Sequence, residues 1–340
     1  MPPLPSAVDP APRSAAPKTR FAKPLQALKG VRILSLALNL PGPAALMQCR
    51  AMGATCRKLE PPAALASPPL LLMLHSADPM SHYCPPAYAA LHVGVRVTSA
   101  DLKTVAGQRA LNRLLASTDV LLTSFRPAAL KKLGLDWPVL HQRYPQLNQV
   151  AVVGAPGAGA NAPGHDLTYL AERGLVTGLD LPPTLYADMG GSLMVVAAIL
   201  QAVLVQKTSS AGTGSHQEIA LSEAAGYLAL PRHWGLTLPG PHAVAGGGHA
   251  GYGVYPCRNG RVAVAALEPH FAARLCQTVG LTLPGCGGSD GNVTQRLAAV
   301  NTLMFTPAAH RAVAQFFKTQ TREQLDVLAS GVDLPLHTLA

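Results

Sequence analysis

Three acid and base positions stand at element boundaries beside small residues: His165, Asp188 and Glu268. In Pro163-Gly164-His165-Asp166 an imidazole and a carboxylate follow a glycine loop and open a helix, whose positive end favours an anion facing a cleft. The same spacing makes Asp166 an ordinary N-cap. Asp188 precedes Met189-Gly190-Gly191-Ser192 and a long apolar stretch. It is either a second N-cap or a carboxylate beside backbone N–H groups, near Gly190, that are open to a developing oxyanion. Glu268 follows the apolar run 262–267 and stands before Pro269. An acidic side chain in that place is exposed at a rim or bonded to a base such as a histidine. Groups of these types, brought together, would move protons.

The elements that must bring them together alternate. Val31–Leu36 reads as a strand, Ala44–Met52 as a helix closed by Gly53, and residues 93–97 as a strand. A helix over 104–115, a strand over 119–123, a helix over 128–133 and a strand over 149–153 follow. This alternation predicts an α/β domain with a largely parallel sheet. Residues 154–164, Gly-Ala-Pro-Gly-Ala-Gly-Ala-Asn-Ala-Pro-Gly, form a loop. Beyond it come a helix from His165, a helix opening at Asp188, a strand over 216–220 and a helix from Ser222. The Gly- and Pro-rich residues 239–253 read as a linker, and 254–340 as a smaller domain with a strand over 260–265 and helices near 269–279 and 307–318. Residues 28–238 are then the large domain and 1–27 a flexible leader. The segment 63–88 carries no assigned chemistry.

The 340 residues are 49% apolar, enough for two folded domains. Twenty-seven basic and 17 acidic side chains leave a net charge of +10, while charged residues are only 13% of the chain. That is a sparse positive field suited to anionic small molecules. Aromatic residues are 5%, and none interleave with basic runs, so a nucleic-acid partner is not expected. The six cysteines show no paired spacing, which fits reduced thiols and a cytoplasmic protein. The apolar stretch 192–205 falls short of the roughly 20 residues that span a bilayer. It reads as a buried helix, with no membrane partner, and no h-region marks a signal peptide.

From Gly30 onward the sequence resembles the family III CoA-transferases (the CaiB/BaiF type), which also include the α-methylacyl-CoA racemases. The resemblance lies in G-V-R-I-L-S-L-A-L-N-L-P-G-P (30–43), M-G-A-T-C-R-K-L-E-P (52–61), D-V-L-L-T-S-F-R-P (119–127) and G-H-D-L-T-Y-L (164–170). The histidine before the aspartate in the last motif is similar to the racemase branch. That branch also has counterparts of D-M-G-G-S-L-M (188–194) and A-L-E-P (266–269).

The resemblance implies a Rossmann-like large domain with a smaller α+β domain, and racemisation or epimerisation of 2-methyl-branched acyl-CoA thioesters. His165 and Asp188 would be the catalytic pair and Glu268 the support of the imidazole. No prosthetic group is implied; coenzyme A arrives as part of the substrate, and Arg57, Lys58, Arg96 and Arg126 are the candidates for its phosphates. The rival reading is CoA transfer between carboxylic acids, with Asp166 as nucleophile. A third, an acyl-CoA-binding protein without turnover, draws on a glycine loop that lacks the family's aromatic and glutamine. The resemblance also implies a homodimer. Because residues 334–340 resemble a point from which the family's chain returns to the large domain, the expectation is a missing return segment and a dimer that separates on dilution.

Overall fold

The computed structural model describes residues 25–62, 76–282 and 293–340. Residues 1–24 of the expected leader and Cys286 lie outside them, as do residues 63–75. The chain divides into two compact units, Met1–Leu228 and Ala229–Ala340.

In the first unit, β1 (Arg32–Ser35), β2 (Thr55–Glu60), β3 (Arg96–Ser99), β4 (Val120–Thr123), β5 (Asn148–Val153) and β6 (His216–Ala220) form a parallel sheet in the order β3-β2-β1-β4-β5-β6. Its central strands β4 and β5 are buried at every position, as expected where helices cover both faces. Successive side chains leave the sheet on opposite sides. Ile33, Cys56, Val120 and Val152 enter one core with α1 (Pro41–Ala51) and the long α8 (Tyr186–Thr208). Leu34, Leu59 and Leu121 enter the other with α4 (Val105–Leu115), α5 (Pro127–Leu133) and α6 (Trp137–Arg143). The unit also contains α2 (Pro79–Tyr83), α3 (Pro85–Leu91), α7 (Asp166–Glu172) and α9 (Leu221–Leu228).

Several boundaries differ from expectation; the helix expected over Ala44–Met52, for one, already opens at Pro41. The strand expected over 93–97 begins only at Arg96, because Gly94 takes a left-handed φ of 73° in the turn before it. The helix expected to open at Asp188 opens at Tyr186, and at 23 residues α8 is long and apolar enough to cross a bilayer by length and composition. The shorter 192–205 estimate is thereby corrected. Its Ala187, Val195, Val196, Ala198, Ile199 and Val203 are nevertheless buried in the core.

The strand order reverses between β1 and β4. In such a sheet the turns leaving the carboxyl ends of the two strands diverge and open a crevice, the usual ligand position. Here those turns carry Leu38 and Asn39 on one side and Ser124 and Arg126 on the other.

The second unit is built on a three-stranded antiparallel sheet, β7 (Tyr252–Cys257), β8 (Gly260–Ala265) and β9 (Leu336–Leu339), in that order. Val262, Leu275, Val313 and Phe317 centre its core, with α11 (Pro269–Thr278), α12 (Val293–Met304), α13 (Pro307–Thr319) and α14 (Arg322–Val332) following the short α10 (Leu230–His233). Residues 239–253, expected as a linker, fall inside this unit and include a 3-10 turn at Val244–Gly246. The five described cysteines are free thiols, and burial pushes Cys49 and Cys56 up to about 12.

Candidate active site

A cleft of about 700 Å³ occupies the crevice between the β1 and β4 turns, and all its lining residues belong to the first unit. His165, Asp166 and Asp188 are among them, with Arg126, which the resemblance singled out, so four of the candidate residues are brought to one place. Asn39, Tyr83 and Tyr169 line it too.

His165 is the N-cap of α7 in extended conformation. Thr168 fixes it there: the His165 N–H donates to Thr168 Oγ1 at 3.0 Å, and the Thr168 hydroxyl donates to the His165 carbonyl at 2.7 Å. The backbone is held while the side chain stays exposed. This corrects the N-cap reading of Asp166, which stands one position inside the helix. Asp166 is instead buried at 5% exposure, and its Oδ1 accepts the Asp188 N–H at 2.9 Å.

The bond between Asp166 and Asp188 also revises the reading of the D-M-G-G segment. Asp188 is not an N-cap but the third residue of α8, and its own N–H donates to Asp166 Oδ1. Gly190 lies within the helix, where its N–H faces the preceding turn. Its lack of a side chain serves packing: a Cβ there would stand 3.1 Å from Leu228 Cδ1 on α9. Gly190 is therefore a helix-contact residue.

Burial, joined by the nearby Asp166 carboxylate, pushes the Asp188 carboxyl up to about 6. This has a thermodynamic sign. The folded chain holds the Asp188 proton to about pH 6, the unfolded chain only to about 4. The folded state binds more protons between these limits, so the stabilisation is full below the lower value and is lost as pH rises through the upper one. Asp188→Asn removes the charge that forms above pH 6. Its melting temperature should exceed that of the unsubstituted protein at pH 8 by several degrees, at roughly 2–4 °C per kcal/mol for a unit of this size, and the advantage should vanish at pH 4. An equal difference at both pH values in thermal melts would reject the assignment.

Tyr169 explains the glycine loop. A Cβ on Gly154 would lie 2.3 Å from its hydroxyl, and one on Gly164 would lie 2.4 Å from it. The loop is glycine-rich at these two places because a phenol passes between them into the cleft wall. Burial raises Tyr169 above the ordinary tyrosine value, Asp188 adds to the rise and Arg126 opposes it. Burial, then Asp78 and Asp188, raise Tyr83 in the same way. Neither tyrosine was singled out in the sequence, since an aromatic at helical spacing reads as core; the two flanking glycines were the available signal for Tyr169.

The basic candidates separate. Arg126 lies at the cleft. Arg57 and Arg96, paired in register across β2 and β3, line a different groove with Arg50. Lys58 is corrected: it is fully buried and ion-paired with Glu60 at 2.8 Å and Asp78 at 2.5 Å, so its ammonium is not offered to a phosphate. The reason is the strand period, which turns Lys58 inward where it turns Arg57 outward. Glu268 belongs to the second unit, where it precedes α11 with its side chain exposed.

The sequence profile of CoA-transferase family III matches residues 28–340. A probable fatty acyl-CoA transferase of Mycobacterium tuberculosis is 26% identical over 93% of this chain and 83% of its own length. The α-methylacyl-CoA racemase of Mus musculus is 32% identical over 55% of this chain, and the cinnamoyl-CoA:phenyllactate CoA-transferase of Clostridium sporogenes 30% identical over 58%. These two matches span about half of each relative, 53% and 50% respectively. Among solved structures, a CaiB/BaiF family protein from Brucella suis superposes with a TM-score of 0.68 at 22% identity, covering 92% of this chain and 84% of that one.

Proposed function

The chain belongs to CoA-transferase family III, and on that premise we propose that it is an acyl-CoA racemase or epimerase acting on 2-methyl-branched thioesters. The observation that carries this reading is that His165 and Asp188 line one cleft, while Asp166, which lines it too, is only 5% exposed and has one carboxylate oxygen committed to the Asp188 N–H. One of the two groups takes the α-proton, the electron pair passes to the thioester oxygen as an enolate, and the other returns a proton to the opposite face. A carboxyl near 6 suits this work, because both its protonated and ionised forms are populated near neutral pH. The Tyr169 hydroxyl is the donor we assign to the enolate oxygen, in place of the backbone groups near Gly190. Arg126 is left as the candidate at the cleft for a CoA phosphate.

CoA transfer is the second reading, favoured by the transferase names of several relatives. Asp166 would then attack the donor thioester and pass through a mixed anhydride. One experiment separates the two. With a 2-methylacyl-CoA in deuterated water, racemisation washes deuterium into the α-position with no adduct, followed by NMR. Transfer leaves an acyl adduct on Asp166 that hydroxylamine cleaves. An adduct without exchange would overturn the proposal.

A further inference from the structure

Behind the β1 turn lies a cluster of charge that the reaction does not use. Lys58, Glu60 and Asp78 are at most 2% exposed, and His92 is at 9%. The Lys58 Nζ lies 2.8 Å from Glu60 Oε1, 2.5 Å from Asp78 Oδ2 and 2.9 Å from His92 Nε2, which engages all three of its N–H bonds. His92 Nδ1 lies 2.6 Å from the Tyr88 carbonyl and donates to it, leaving Nε2 as the acceptor. Burial and the Lys58 charge keep that imidazole neutral by lowering its pKa. The remaining carboxylate valences are filled: Ser76 and Tyr88 hydroxyls donate to Glu60, and the Asn39 and Met80 N–H groups donate to Asp78 Oδ1.

Two features mark this as more than a buried ion pair. Glu60, Asp78 and His92 converge closely enough to ligate one metal ion, and the lysine ammonium sits among them. Asp78 faces two ways: Oδ2 holds the ammonium, while Oδ1 holds the N–H of Asn39, a cleft-lining residue. Asn39 carries φ of 62°, in the left-handed region that asparagine tolerates better than other non-glycine residues, and Asp78 Oδ1 holds its N–H there.

We propose that Lys58 is a built-in cation in a two-carboxylate, one-imidazole cage, and that through Asp78 it positions the Asn39 turn in the wall of the active-site cleft. It is a positioning residue, and its effect on turnover rests on the racemase reading above. A cation is what the cage requires, since two buried carboxylates without one are strongly unfavourable. Removing the ammonium therefore leaves a ligand set suited to a divalent transition metal.

The test uses Lys58→Ala in the full chain with Co²⁺ as the probe. The variant should bind one Co²⁺ per chain, with a visible absorption band and a rise in melting temperature that the unsubstituted protein does not show. Without metal its α-proton exchange should fall by up to ~10²-fold in kcat with little change in KM, as misplacement of a cleft wall does, and Co²⁺ should restore part of it. Equal Co²⁺ binding by the unsubstituted protein, or full exchange activity in metal-free Lys58→Ala, would overturn the proposal. Should the variant not fold, amide hydrogen exchange on the unsubstituted protein decides: the Asn39 N–H should be protected like a core strand, and exchange at the rate of an open loop would reject the cage. Cobalt binding and amide protection need no turnover, so they stand or fall separately from the reaction.

Discussion

His165→Ala and Asp188→Asn should each lower α-deuterium exchange in a 2-methylacyl-CoA by roughly 10²- to 10⁴-fold, the contribution of a positioned acid or base. Neither change should unfold the protein. His165 is exposed, and its backbone is fixed by Thr168, so truncating the ring leaves the start of α7 intact. Asp188→Asn keeps the N–H that Asp166 accepts. The two variants should also differ in pH dependence. Where Asp188 serves as base, the rate should fall as pH drops through about 6, where that carboxyl takes up its proton. Exchange rates measured from pH 5 to 8 check both points. A loss below about tenfold in either variant, small on the scale of general acid–base catalysis, would count against the pair.

Alanine at Gly154 and at Gly164 should destabilise the first unit by about 1–3 kcal/mol each, as forced overpacking does, and the two losses should respond differently to a second change. At Gly154 the new Cβ meets the Tyr169 hydroxyl at 2.3 Å, but the nearest ring carbon is 3.3 Å away. Tyr169→Phe removes that one atom, so the Gly154→Ala/Tyr169→Phe double variant should recover most of the stability. At Gly164 the ring carbons themselves lie at 2.6 and 2.7 Å, and no loss of the hydroxyl relieves them. Denaturant melts of the two glycine variants, Tyr169→Phe and the two double variants form a double-mutant comparison. Equal rescue at both glycines would show that the phenol does not pass between them as described. Gly164→Ala should also depress exchange, because it displaces the residue before His165.

Much of this was legible from the residues. The strands expected over 119–123 and 149–153 became the buried centre of a parallel sheet, and the helix expected over Ala44–Met52 is present, opening earlier at Pro41. The glycine loop, the histidine after it and the aspartate of the D-M-G-G segment all arrived at the cleft. These features are local: strand period, turn residues and helix starts are set by neighbours in sequence, and a motif keeps its order whatever surrounds it.

The functions of individual side chains were decided by distance in space. Lys58 and Arg57 are adjacent basic residues of one strand, yet the sheet sends one to a carboxylate cage and the other to solvent. The partner that claims Lys58, Asp78, lies in a stretch whose sequence carries no periodic signal. Asp166 and Asp188, 22 residues apart, meet only because α7 and α8 bring their first turns together, and that meeting occupies the Asp188 N–H. The sequence by itself determined the order of elements, the alternating sheet and the residues able to move a proton, because those follow from local propensity and chemical type. Which carboxylate is buried, which lysine is already paired and which glycine makes room for a phenol were set by tertiary packing, because burial and pairing depend on what lies opposite across the fold.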